Sequence, residues 1–214
     1  MLNAKLIKEF DPAGKEWKVK AKAAEKVEVI LKEAGMRIKP EGIGPLMECM
    51  KQGMKESNMA IIKPYLKLMG SLAEATGEPI HKYTKKCLVP MLTHLSNKQP
   101  LIRAQVVAPM TLWAEAAGDH KVMDQLFGLL KDANPEFRSE VFTWVLERKP
   151  ALAKVDHKET IKPLIACLSD RDAKIRNASE EVIVEVMGFI GFNAFQQNTQ
   201  DLKPAVKQTV IAVL

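Results

Sequence analysis

The sequence predicts an all-α fold, an α-solenoid built from stacked helical pairs, and three observations predict it. First, one short phrase recurs. Leu95-Ser96-Asn97-Lys98-Gln99-Pro100-Leu101-Ile102-Arg103, Leu130-Lys131-Asp132-Ala133-Asn134-Pro135-Glu136-Phe137-Arg138 and Leu168-Ser169-Asp170-Arg171-Asp172-Ala173-Lys174-Ile175-Arg176 share one plan. Each runs Leu, a polar turn opened by Asp or Asn, an apolar residue, then Arg eight places after the Leu, and the copies begin 35 and 38 residues apart. A period of that size marks helical pairs that bury their apolar faces only by stacking. Second, apolar residues elsewhere recur at three- and four-residue spacing, as on one face of a helix. Third, the composition is 47% apolar with 6% aromatics, rich in Ala, Leu, Met, Lys and Glu, and shows no alternating β-branched run.

The elements follow in order. Residues 3–12 hold a short helix around Leu6, Ile7 and Phe10, stopped by Asp11-Pro12. After the turn 13–17, a helix over about 17–35 carries Val19, Ala23, Val27, Ile30 and Leu31 on one stripe and ends at Gly35. Pair two covers about 43–55 and 60–75, with Pro64 expected in the opening turn of its second helix. Pair three covers 79–95 and 101–117, pair four 121–130 and 135–148, and pair five 158–168 and 173–190. The tail, 193–214, reads as a sixth, partial unit with Leu202, Val206, Val210 and Leu214 at four-residue spacing. No linker divides the array, so one domain over 1–214 is expected, as a fragment of a longer multi-domain protein.

Pro90 and Pro163 each stand five residues before a marker Leu. The intervals Asp132/Arg138 and Asp170/Arg176 are both six residues, and Asn97/Arg103 matches them. Asp in a turn and Arg on the next helix are placed to staple neighbouring repeats by charge-assisted hydrogen bonds. These features resemble HEAT repeats, and they assign Arg103, Arg138 and Arg176 first to the stack.

Charge and motif content narrow the function. The net charge of +6 suits an acidic partner without choosing one. Cys49, Cys87 and Cys167 have no metal spacing and read as buried, reduced thiols. His81, His94, His120 and His157 are dispersed, and His94, His120 and His157 stand at helix boundaries. No GxGxxG, GxxxxGK[ST] or GxSxG occurs, and Glu180/Glu181 fall on a solvated helix face. No catalytic residue, metal or cofactor is expected. No apolar run approaches the ~18 residues of a membrane span, so no membrane partner is expected either.

The turns inside each pair are the informative places, because stacking lines them along one edge. They offer Lys15-Glu16-Trp17-Lys18, Glu56-Ser57-Asn58-Met59, Asn97-Lys98-Gln99-Pro100, Asp132-Ala133-Asn134-Pro135 and Asp170-Arg171-Asp172-Ala173-Lys174. Trp17 sits at the lip of the first turn, where a large aromatic dominates a contact surface at roughly 2 kcal/mol or more. The plainer alternative is that Trp17 closes the apolar seam of the first pair. Trp113 and Trp144 lie on apolar stripes and belong to the core.

The opening Leu6-Ile7-Lys8-Glu9-Phe10-Asp11-Pro12, then Gly14-Lys15-Glu16-Trp17-Lys18, together with Asn134-Pro135-Glu136-Phe137-Arg138 and Asp170–Arg176, resembles a TOG domain. The likeness runs over essentially the whole chain and is nearest to the fourth such domain in microtubule polymerases of the Mini spindles type. It implies a non-catalytic, monomeric module that binds αβ-tubulin or the microtubule lattice through the turns and contributes to polymerisation at plus ends. It also implies a cytoplasmic, cytoskeletal setting at microtubules, the spindle, or the centrosome or spindle pole. Transferred turn by turn, the contacts are Trp17 and Lys18, then Ser57, Asn58 and Met59, then Lys98, then Asn134, then Arg171 or Lys174. Departures are Met59 in place of a β-branched residue, Lys20 or Lys22 in place of an Arg, and Asp170 and Asp172 flanking Arg171. Weak solitary binding to soluble tubulin is therefore expected.

Two other readings stand beside it. One is a general HEAT scaffold that docks a helix or peptide in an apolar groove opposite the turns. The other is nucleic-acid binding through Lys82, Lys85, Lys86 and the N-terminal lysines; the thin spread of charge argues against it, and no nucleic-acid partner is expected.

Overall fold

In the computed structural model of the chain, residues 4–10, 16–132, 134–200, 202 and 204–213 are described. Every regular element among them is helical. The α-helices are α1 (Ala4–Ile7), α2 (Trp17–Glu33), α3 (Gly44–Gly53), α4 (Met59–Thr76), α5 (Val89–Leu92) and α6 (Pro100–Ala117). After them come α7 (Asp119–Leu129), α8 (Pro135–Leu146), α9 (His157–Cys167), α10 (Ala173–Ile190), α11 (Phe192–Asn198) and α12 (Pro204–Val213). They fall into two compact units, residues 1–95 with 99–118 and residues 96–98 with 119–214.

In the first unit α4 packs against both α2 and α6. Ala23, Ala24, Val27 and Leu31 from α2 meet a fully buried α4 stripe that includes Tyr65, Leu68, Met69 and Leu72. Gly70 allows a close approach of α4 to α6, because a Cβ there would stand 3.0 Å from the Pro109 Cα. Trp113 is fully buried, and its Nε1 donates to Thr84 Oγ1 at 3.1 Å.

In the second unit α10 packs on α8 and α9, and α7 on α9. Phe127, Phe137, Phe142, Ile161, Leu164 and Val186 are sealed from solvent there. Trp144 is buried as well, so both core tryptophans stand where their stripes place them.

Local chemistry explains the shared helix ends. The 18-residue helices α4, α6 and α10 close on Gly77, Gly118 and Gly191, with φ of 68°, 102° and 80°. Only glycine adopts that left-handed C-terminal geometry without a Cβ penalty. At the other end, the side chains of Asn58, Asn134, Asp156 and Asp172 accept from backbone N–H groups of α4, α8, α9 and α10.

Several expectations change. Pro64 stands inside α4, not in its opening turn, because the Asn58 cap starts the helix at Met59. Its missing N–H leaves the Ala60 carbonyl without the usual helical donor. The single helix expected over 79–95 is instead a 3-10 segment (Glu78–Tyr83), a π turn (Thr84–Leu88), α5 and a second 3-10 segment (Thr93–Ser96). Pro90 cannot bond the carbonyl four residues back, and the wider turn just before it reroutes the ladder. Cys87 and Cys167 are buried, but Cys49 is only half-buried, on the flank of the stripe formed by Leu46, Met47 and Met50. The tail forms α11 and α12, with Val210 buried; the predicted roles of Val206 and Leu214 lie outside the described side chains, as do the turn residues 11–15.

The expected arginine staple forms at Arg138. Arg138 Nε lies 2.7 Å from Asp170 Oδ2, joining repeat four to repeat five. Arg176 departs from it and stays in its own turn, donating to the Asp170 and Arg171 carbonyls at 2.8 and 3.0 Å.

Candidate functional site

In the first unit, turn one and turn two are tied together from the helices behind them. The buried Lys20 of α2 reaches Glu56 at 2.8 Å. Lys20 is thus structural, and it consumes the acidic charge of turn two. Ahead of it, Trp17 begins α2 with 45% of its surface exposed, and the Lys18 ammonium lies 5.7 Å from the centre of its ring. A lysine over an indole face holds the ring at the surface by the cation–π attraction. Ser57 and Asn58 are exposed and Met59 is half-buried. Asn58 Oδ1 accepts from the Ala60 N–H at 2.9 Å, which fixes the turn and leaves its amide NH₂ outward as donor.

In the second unit, three turns are linked in sequence. Asn134 Oδ1 accepts from the Phe137 N–H at 2.9 Å while its Nδ2 donates to the Ser96 carbonyl at 2.7 Å. One amide therefore caps α8 and anchors the turn bearing Lys98. Both of its ends are engaged, so Asn134 holds the turns in place. Lys98 is exposed. Asp170 is consumed too: Oδ2 faces Arg138, Oδ1 accepts from the Asp172 N–H at 2.9 Å, and only 6% of its side chain reaches solvent. Asp172 Oδ1 accepts from the Lys174 N–H at 2.8 Å. Arg171 and Lys174 are both exposed. Of the two carboxylates expected to blunt Arg171, Asp170 is turned inward and compensated, which leaves only Asp172.

Sequence reasoning passed over two residues of this region, Lys131 and Ser169. They line a notch of about 430 Å³ between turns four and five, with Leu130, Pro135, Arg138, Ala166, Cys167, Asp170 and Arg171. The signal was available: Lys131 stands directly after the marker Leu130, where the other copies have Ser96 and Ser169.

The other clusters read differently. Lys82, Lys85 and Lys86 are exposed, but Tyr83 between them packs its hydroxyl 3.6 Å from where a Gly44 Cβ would stand, so the ring is no open stacking platform. His94 Nε2 bonds the Met54 carbonyl at 2.8 Å, a structural role. Burial pushes the Cys87 and Cys167 thiols up to about 11, far from the thiolate a nucleophile needs. Among the described residues, no group of three metal-binding side chains comes together, and no helix is long and apolar enough to cross a membrane.

Comparison with known proteins agrees with the fold. The family described as "Stalled ribosome sensor GCN1-like, HEAT repeats" matches residues 61–213. Protein MOR1 of Arabidopsis thaliana is 28% identical over 201 residues, covering 92% of this chain and 10% of MOR1. Protein mini spindles of Drosophila melanogaster is 26% identical over 216 residues, covering 98% of this chain and 10% of that protein. The chain thus spans about a tenth of the length of these relatives. A structure solved in work on tubulin recruitment and assembly by microtubule polymerases with Tumor Overexpressed Gene (TOG) domain arrays superposes with a TM-score of 0.70 at 14% identity. That match covers 99% of this chain and 45% of the other. The match over residues 61–213 makes this chain a member of the HEAT-repeat family, and over nearly its whole length its sequence is similar to segments of MOR1 and mini spindles.

Proposed function

We propose that the chain is a non-catalytic module that binds αβ-tubulin, free or in the microtubule lattice, through the turns of its helical pairs. As part of a longer polymerase it contributes to microtubule growth and plus-end dynamics, in a cytoplasmic, cytoskeletal setting that includes the spindle and its poles. The observation that carries this reading is the half-exposed Trp17 with Lys18 beside it, at the head of α2 on a turn braced by the Lys20–Glu56 pair. A rigid indole pays little ordering entropy on contact and buries a large area, which is why such residues anchor interfaces.

The remaining contacts follow by type. Ser57 and the Asn58 amide supply hydrogen bonds, Met59 an adaptable apolar surface, and Lys98 and Arg171 positive charge. Asn134 acts by holding its turn against Ser96. Tubulin is acidic, so exposed cations on the turns speed encounter and orient docking. Met59 and the lysines at 20 and 22 depart from the related pattern, and Lys20 is already engaged with Glu56. We assign the chain to the fourth position of a domain array on the resemblance of its turns, and weak solitary binding to free dimers goes with that position.

Co-sedimentation of the purified 214-residue chain with microtubules, beside analytical ultracentrifugation with soluble tubulin, tests this. Saturable pelleting, with weaker binding to soluble dimer, is expected. No association with either at low ionic strength would overturn it.

A further inference from the structure

We propose that the notch between turns four and five is a receptor for one carboxylate side chain of the docked partner, gripped by Lys131 and Arg171. The idea rests on the tubulin-binding reading and deepens it at this site.

The chemistry of the notch selects the ligand. Its walls include Leu130, Pro135, Ala166 and the buried Cys167, which put apolar surface around an open space of about 430 Å³. Its inner side holds Arg138 and Asp170, 2.7 Å apart and mutually compensated. Asp170 spends its second oxygen on the Asp172 N–H, so it offers an incoming anion little repulsion. Lys131 and Arg171, both exposed, then supply the positive charge of the lining beyond the Arg138–Asp170 pair, and Ser169 adds a hydroxyl donor. An anion seated there is attracted by two cations against partly apolar walls, where charge interactions are stronger than in open water. Space and donors fit an Asp or Glu presented on a loop of the partner.

The same geometry separates the two candidates for the fifth-turn contact. Arg171 lines the notch, whereas Lys174, the second residue of α10, is not part of its lining. The rigid support for Arg171 is visible as well, since Arg176 clasps the Asp170 and Arg171 carbonyls. Lys131 is the added specificity residue. It is the one marker-adjacent position of the three copies that carries charge in place of Ser.

The test is microtubule co-sedimentation of Lys131→Ala, Arg171→Ala, the double variant, Lys131→Arg and Lys174→Ala, each checked for unchanged melting temperature. We expect about five- to tenfold weaker binding for each of the first two. The double variant is expected to lose less than the product of the single losses, because both cations serve one carboxylate. Lys131→Arg restores binding, and Lys174→Ala changes it less than about twofold. Unchanged binding of Lys131→Ala, or fully multiplicative losses, overturns the notch. If Trp17→Ala then still weakens binding, the tubulin reading survives; if the unmodified chain fails to bind at all, both fall.

Discussion

Trp17 is the residue on which the functional reading turns, and its surroundings make its role separable from folding. With 45% of its surface exposed, its truncation removes little core packing. Trp17→Ala is expected to weaken microtubule binding by about tenfold or more, with a melting temperature close to that of the parent, measured by co-sedimentation and thermal unfolding. Arg138 is the opposite case. Removing it leaves Asp170, with 6% side-chain exposure, without its cation. Arg138→Ala is expected to cost about 1–3 kcal/mol in a chemical denaturation experiment. His157 sets a third expectation. Burial holds its ring below the usual 6.5, against the pull of Asp156 and Asp124. The unfolded chain therefore takes up a proton first as pH falls below about 6.5, and stability is lost on acidification toward the lower folded value. Asp124 runs the other way, since burial raises its carboxyl and its contribution fades as pH rises above the acid range. Melting temperatures should fall from about pH 7 to about pH 5.5, and His157→Gln should flatten that fall.

At the scale of elements, helix existence was legible and helix interruption was not. Apolar spacing located the helices of pairs one, two, four and five, and glycines stopped α4, α6 and α10 as they stop helices generally. The stretch from 78 to 96 defeated the same reasoning, because Pro79 and Pro90 break the hydrogen-bond ladder while apolar spacing continues through it. The turns show a similar division. Asn58, Asn134 and Asp172 were recognisable as turn residues, but only coordinates reveal that Asn134 spends both ends of its amide and that Asp170 faces inward. Lys131 escaped notice because it precedes the turn it serves. Packing supplies the prediction proper to this scale. A Cβ on Gly53 of α3 would overlap the ring of Tyr65 on α4, itself fully buried and tilted against Phe10 with ring centroids 5.6 Å apart. Gly53→Ala is expected to destabilise the chain by about 1–3 kcal/mol in urea unfolding, with the surface residues of the turns unchanged.

At the scale of the molecule, the repeat does two jobs with different residues. Leu95, Leu130, Leu168, Ile102, Phe137 and Ile175 are buried and build the stack. The residues that vary between copies, Lys98, Lys131 and Arg171, stand in or beside the turns and carry the charge. A net charge of +6 over the chain, with Lys98, Lys131 and Arg171 exposed in or beside the turns, suits steering toward an acidic partner followed by docking on an aromatic anchor. Binding should therefore weaken steadily with added salt, while the Trp17 contribution persists. The most direct measurement is microtubule co-sedimentation of Trp17→Ala/Lys98→Ala beside the unaltered chain. The account predicts saturable binding of the unaltered chain and at least a tenfold loss in the folded double variant. Equal binding of the two would contradict it.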